Sequence, residues 1–181
     1  MRKNVIPVCA AILFTLGVLS APGRAQQDKS KRPSPPAKAD CQFSNGKTIH
    51  VDYSSPRMRG RKIYGGLVPF GEVWRAGANE ATTFVVDTDV SVGGASVPAG
   101  SYTLFTLPNP DKWTLIVSKK TAEWGIPYPG ESFDLTRAPM QVSKLPAPVE
   151  DFTISFGHEG GACTLRMDWE TTRASVQISP K

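Results

Sequence analysis

The chain has 181 residues, the length of one domain or two small ones. Its composition is 40% hydrophobic and 20% charged, with 16 glycines and 16 prolines, a globular and turn-rich usage that excludes collagen-like repetition, disorder throughout and a long helical bundle. The formal charge of +5 falls entirely before Cys41, so the rest of the chain is formally neutral and no nucleic-acid partner is expected. In chain order, Arg2 and Lys3 precede an apolar stretch from Val5 to Leu19, and the small residues Ala21, Gly23 and Ala25 follow. About 15 apolar residues fall short of the roughly 20 that span a bilayer, so residues 1–25 read as a secretory signal peptide and no membrane span is expected. Export implies a periplasmic or extracellular mature protein. Residues 26–40 hold no large apolar side chain and read as a flexible linker, with a single β domain over 41–181.

Within that domain, residues 48–53 alternate Ile49, Val51 and Tyr53 with polar partners, the period of a half-buried strand. Residues 82–86 and 90–92 read as further strands, with extended chain on both sides of the glycine and proline turns that follow. Residues 101–107 carry apolar side chains on both faces, as a central strand does. Residues 113–118 return as its hairpin partner after the turn at Pro108–Asp111. Residues 119–124 allow one helical turn, residues 125–132 a loop, and residues 133–142 a weak strand. Clean alternation then returns at 152–156, 163–169 and 174–178, with a turn near 171–173. About eight short strands without an amphipathic helix predict an all-β fold, an antiparallel β-sandwich or jelly roll with one long irregular loop segment.

Two cysteines lie beyond the leader, Cys41 and Cys163, and an even pair in an exported chain reads as a disulfide. The alternatives are two free thiols or half of a metal site, the latter needing more ligands than the sequence offers. For a metal, His50, Asp52, His158 and Glu159 are the available donors. Neither histidine has a partner at helical spacing, so no metal site and no cofactor are expected. A GxSxG elbow is absent, and the glycine pairs at 93–94 and 160–161 do not lead into helices that would hold a phosphate.

The stretch from Ser54 to Ala81 does not look like scaffold, since loops beyond about 15 residues commonly serve a site or build structure of their own. It carries Arg57, Arg59, Arg61, Lys62 and Arg75, five glycines, and the aromatics Tyr64, Phe70 and Trp74. Arginine beside tryptophan suits sugars, planar anions or stacked rings. Trp113 and Trp169 fall in strand patterns and read as core, whereas Trp74 and Trp124 fall in loops. Arg61, Lys62, Trp74, Arg75, Asn79, Glu80 and Trp124 are therefore the candidate ligand-binding residues. The competing structural reading has Glu80 paired with Arg75 or Arg61 to close the loop.

The text GRKIYGGLVPFGEVWRAGANEATT, the turn VPAGSYTLFTLP, then KWTLIVSK and EWG together resemble a family of secreted bacterial proteins catalogued as a domain of unknown function, number 2911. The resemblance implies export and a compact, mostly β domain, and it carries no catalytic residues across. The expected function is a non-catalytic exported binding module for a small polar or carbohydrate-like ligand. The alternatives are a hydrolase working through Glu80 or Glu72 with an arginine as stabiliser, and a structural envelope protein acting through protein contacts.

Overall fold

The computed structural model describes residues 28–181; the signal peptide read over residues 1–25 lies outside them. Nine strands follow one another: β1 (Pro36–Gln42), β2 (Thr48–Ser54), β3 (Thr82–Val86), β4 (Val90–Val92), β5 (Ala95–Val97), β6 (Gly100–Leu107), β7 (Trp113–Ser118), β8 (Asp134–Glu159) and β9 (Ala162–Pro180). They form one antiparallel sheet in the order β1-β2-β3-β6-β7-β8-β9-β4-β5, not closed into a barrel. The all-β antiparallel expectation is met.

Alternation places the strands where the sequence reading put them. β2 buries Ile49, Val51 and Tyr53 while Thr48, His50 and Asp52 face outward. β6 buries Tyr102, Leu104 and Phe105, on both of its faces, and it lies centrally between β3 and β7. Each fully buried large side chain, such as Phe84, Trp113, Phe152 and Trp169, contributes roughly 1.5–3 kcal/mol.

Three differences from the sequence reading have identifiable causes. First, β1 starts at Pro36, inside the segment read as a linker, and pairs with β2 from Pro36↔Ser54 to Gln42↔Thr48. It buries little apart from Cys41, so main-chain pairing and not apolar burial orders it; Pro36 sits acceptably at the start of an edge strand. Second, the weak strand and the 152–156 strand are one 26-residue strand, β8. Its register with β9 shifts between Lys144 and Val149, where Pro146 and Pro148 have no N–H to donate. Third, residues 171–173 continue β9 instead of turning, and Arg173 grips the nearly buried Asp168 through two hydrogen bonds of 2.8 and 2.6 Å.

The long β8 and β9 carry the sheet round on itself, so both ends face one core. Tyr53 of β2 meets Phe152 of β8 edge to face at 5.8 Å, and its hydroxyl accepts the Ile154 N–H at 3.0 Å. The N–H of Met58 donates to Glu150 O, and the N–H of Phe152 donates to Pro56 O. A disulfide between Cys41 and Cys163 ties β1 to β9 across 122 residues of sequence.

Candidate functional site

The segment between β2 and β3 is partly core. Ile63, Tyr64, Val68 and Ala76 are buried, and Trp74 exchanges both main-chain hydrogen bonds with Thr106 of β6 at 2.8 Å. The Trp74 ring stacks on Trp169 with centroids 5.8 Å apart and meets Phe152 edge to face at 4.9 Å. Trp74, expected to line a ligand surface, is therefore a packing residue held half-buried against the core. Tryptophan's large apolar body accounts for this, since burying it against aromatic partners outweighs leaving it in a loop.

The other candidates fall into two groups. Arg61 is exposed and donates to the main-chain oxygens of Met58 (3.0 Å) and Arg57 (2.7 Å), stiffening its own turn; Lys62 beside it is exposed. Arg75, Asn79, Glu80 and Trp124 come together elsewhere, and among the described residues no hydrogen bond or ion pair joins the two groups. The Arg75 guanidinium donates to the carbonyls of Asn79 and Trp124 and lies 5.2 Å from the centre of the Trp124 ring. Burial works against its charge, and nearby Glu80 offsets part of that cost. Trp124 is 52% exposed, and its loop is tied to β3's start by the Ala81 N–H donating to Glu123 O at 3.0 Å.

Asn79 holds this corner from behind. Its backbone is left-handed (φ 56°), a conformation asparagine tolerates better than most residues, and its side-chain amide donates to Ser34 O at 2.9 Å. Glu80 accepts from Arg32 at 2.7 Å and pairs with Lys29 at 3.0 Å. The expected loop-closing partners Arg75 and Arg61 are thus replaced by two cations from the segment read as a linker. The Glu80 carboxyl is held down to about 2, first by its own backbone N–H and then by Lys29 and Arg32. Glu72, the other carboxylate weighed for hydrolysis, is exposed.

Of the predicted residues only Glu80, with its partners Lys29 and Arg32, lines a surface cleft of about 280 Å³; Arg75, Asn79 and Trp124 are not among its lining residues. Lys29, Arg32 and Pro36, Glu80 and Ala81, and Asp52, Tyr53, Ser54 and Thr83 of β2 and β3 line it. Asp52 and Thr83 face each other across the strand pair, and Asp52 also pairs with Lys38 of β1 at 3.0 Å. Lys29, Arg32 and Thr83 are not singled out by the sequence, and Asp52 enters there only as a metal donor. The outward position of Asp52 in an alternating strand was the available signal, whereas nothing local marks Lys29 and Arg32 as wall residues.

The metal donors considered in sequence are dispersed. His50 bonds Asp40 at 2.7 Å, Asp52 lies in the cleft, and Glu159 pairs with Arg166 at 3.5 Å. Among the described residues, one cluster of metal-ligating side chains exists, Cys41, His158 and Cys163, and its cysteines form the disulfide. No helix among the described residues is long and apolar enough to cross a membrane.

Comparison with curated proteins and with solved structures yields no match. The profile of a family described as "Protein of unknown function (DUF2911)" matches residues 34–178, from the segment leading into β1 almost to the end of β9, and the chain belongs to that family.

Proposed function

We propose that this protein is a non-catalytic binding module that takes a small, uncharged, hydroxyl-rich ligand of carbohydrate-like type in the cleft between Glu80 and β2–β3. The observation that carries the reading is the composition of that cleft. Two cations, Lys29 and Arg32, stand with two carboxylates, Asp52 and Glu80, and two hydroxyls, Ser54 and Thr83. The charges cancel, so neither an anion nor a cation is favoured as a whole, while strong donors and acceptors both line the space. Vicinal hydroxyl groups satisfy such a set, each giving to a carboxylate and taking from an ammonium or guanidinium.

Catalysis is the weaker reading. A carboxyl held at about 2 stays ionised through the neutral range and does not donate a proton, as the general acid of glycoside hydrolysis must. Export to the periplasm or the extracellular space, with residues 1–25 removed, belongs to the same proposal; the disulfide and the absence of an apolar spanning helix among the described residues are compatible with it.

The test is a titration of ¹⁵N-labelled protein with glucose, galactose, N-acetylglucosamine and their disaccharides, set against gluconate and glucosamine as charged controls. Amide shifts at Ser54, Glu80, Ala81 and Thr83 with a neutral sugar are expected. Glu80→Gln and Asp52→Asn should each weaken binding about tenfold, the size of one lost charge-assisted hydrogen bond. No shift with any neutral sugar, or stronger shifts with the charged controls, would overturn the reading.

A further inference from the structure

At the far end of the sheet, where the β8–β9 hairpin meets β1, His158 and Cys163 are directly opposed across the strand pair. Cys41 is brought against them by β1, and both cysteines are buried while His158 is exposed. Both imidazole nitrogens stand 3.7 Å from Cys41 Sγ, and the ligand atoms of all three residues lie within 4.8 Å of one another. A tetrahedral zinc ion, with Zn–S near 2.3 Å and Zn–N near 2.0 Å, sets a sulfur and a nitrogen ligand about 3.6 Å apart and two sulfurs about 3.8 Å apart. The imidazole is already at that spacing from one sulfur, and because Nδ1 and Nε2 are equally far from it the exposed ring has to turn to aim one lone pair at a shared ion. The two sulfurs reach theirs once the bond between them is gone, because non-bonded sulfur atoms rest at about that separation.

We infer that Cys41, Cys163 and His158 form a latent thiolate–imidazole site for zinc or a similar soft divalent cation, hidden while the disulfide is intact and opened by its reduction. A dithiol or phosphine reductant delivers two electrons, and two protons come from solvent; the S–S bond breaks and two thiols result. Binding of the cation then releases both thiol protons, and Cys41 and Cys163 bind as thiolates beside the neutral His158 ring, with water in the fourth position. The metal replaces the covalent bond as the staple between β1 and β9, so the same two strands are fastened in both redox states. The reduced chain exists wherever synthesis precedes oxidation, and there the site would hold the fold's ends together before the disulfide forms. No metal is expected while the disulfide is intact, because its sulfurs have no thiolate to offer.

Cobalt(II) is the probe, since its bond to thiolate absorbs in the near ultraviolet. The full chain is reduced with a phosphine, freed of reductant without air, and titrated. One equivalent of cobalt with thiolate charge-transfer absorption, displaced by zinc, is expected from the reduced protein and none from the oxidised protein. His158→Ala should weaken binding at least tenfold, since even loss of an outer-sphere partner commonly costs about 10- to 100-fold. Absence of uptake by the reduced, folded chain, equal affinity in His158→Ala, or equal uptake by the oxidised protein would each overturn the inference. If reduction unfolds the chain, recovery of its near-ultraviolet circular dichroism on adding zinc supports the site, and failure to recover overturns it.

Discussion

Glu80 meets two cations from a segment far earlier in the chain, Arg32 lying 48 residues before it. Its carboxyl titrates near 2 in the folded state against 4.5 as its ordinary value, so the folded chain holds its proton less tightly than the unfolded chain does. The resulting stabilisation is complete above pH 4.5 and fades as pH falls from there through 2. The side chain is 42% exposed, and solvent screening limits the effect to about 1 kcal/mol. Glu80→Gln should therefore be less stable than the parent by about that amount at pH 6 and nearly equal to it at pH 2, by urea unfolding at the two pH values. An identical gap at both values would contradict the ion pair. The sequence made Glu80's need for a basic partner legible. It did not make the partner legible, because Arg75 and Arg61 are near in sequence while Lys29 and Arg32 are near in space.

At the scale of elements, the loop after β7 positions Trp124, and Gly125 lets it do so. Gly125 has a φ of 77°, and a Cβ there would stand 2.9 Å from Ala81 Cβ and 3.1 Å from Arg75 Cβ. Ala81 lines the cleft and Arg75 packs beside Trp124, and neither contact is to the free end of a flexible side chain. Gly125→Ala should cost about 1–3 kcal/mol through left-handed strain and overpacking, with the indole resonance of Trp124 displaced and that of Trp113 unmoved. A variant as stable as its parent would show that the loop, and not the glycine, sets the approach of Trp124. Strands with alternating large side chains, such as β2, β6 and β7, were legible because burial itself imposes the period. β1 was not, since its inward residues Ala37 and Ala39 are small and its order comes from hydrogen bonds to β2. The fusion of two short runs into β8 was hidden because alternation lapses between them, where Pro146 and Pro148 accompany a change of register and not an end.

For the molecule as a whole, the open sheet is kept wrapped by a covalent bond between its first strand and its longest hairpin. In the chain-entropy account, a loop of 122 residues contributes about 5 kcal/mol. The double variant Cys41→Ala/Cys163→Ala should lose close to that in denaturant unfolding, and thiol titration of the denatured, unreduced parent should find neither Cys41 nor Cys163 free. A loss under about 1 kcal/mol would mean that the unfolded chain is already compact. The pairing of two cysteines was legible from their number; the curl that brings them together was not, because it depends on the bends of β8 and β9. The position of β9 in the sheet has a further consequence. It follows the other eight described strands in sequence, yet it lies between β8 and β4 and carries Cys163. A chain emerging from the ribosome N-terminus first therefore holds the other eight strands before it can complete the sheet, and a stop codon at Ala162 would remove an interior strand, leaving β4 and β5 without their neighbour.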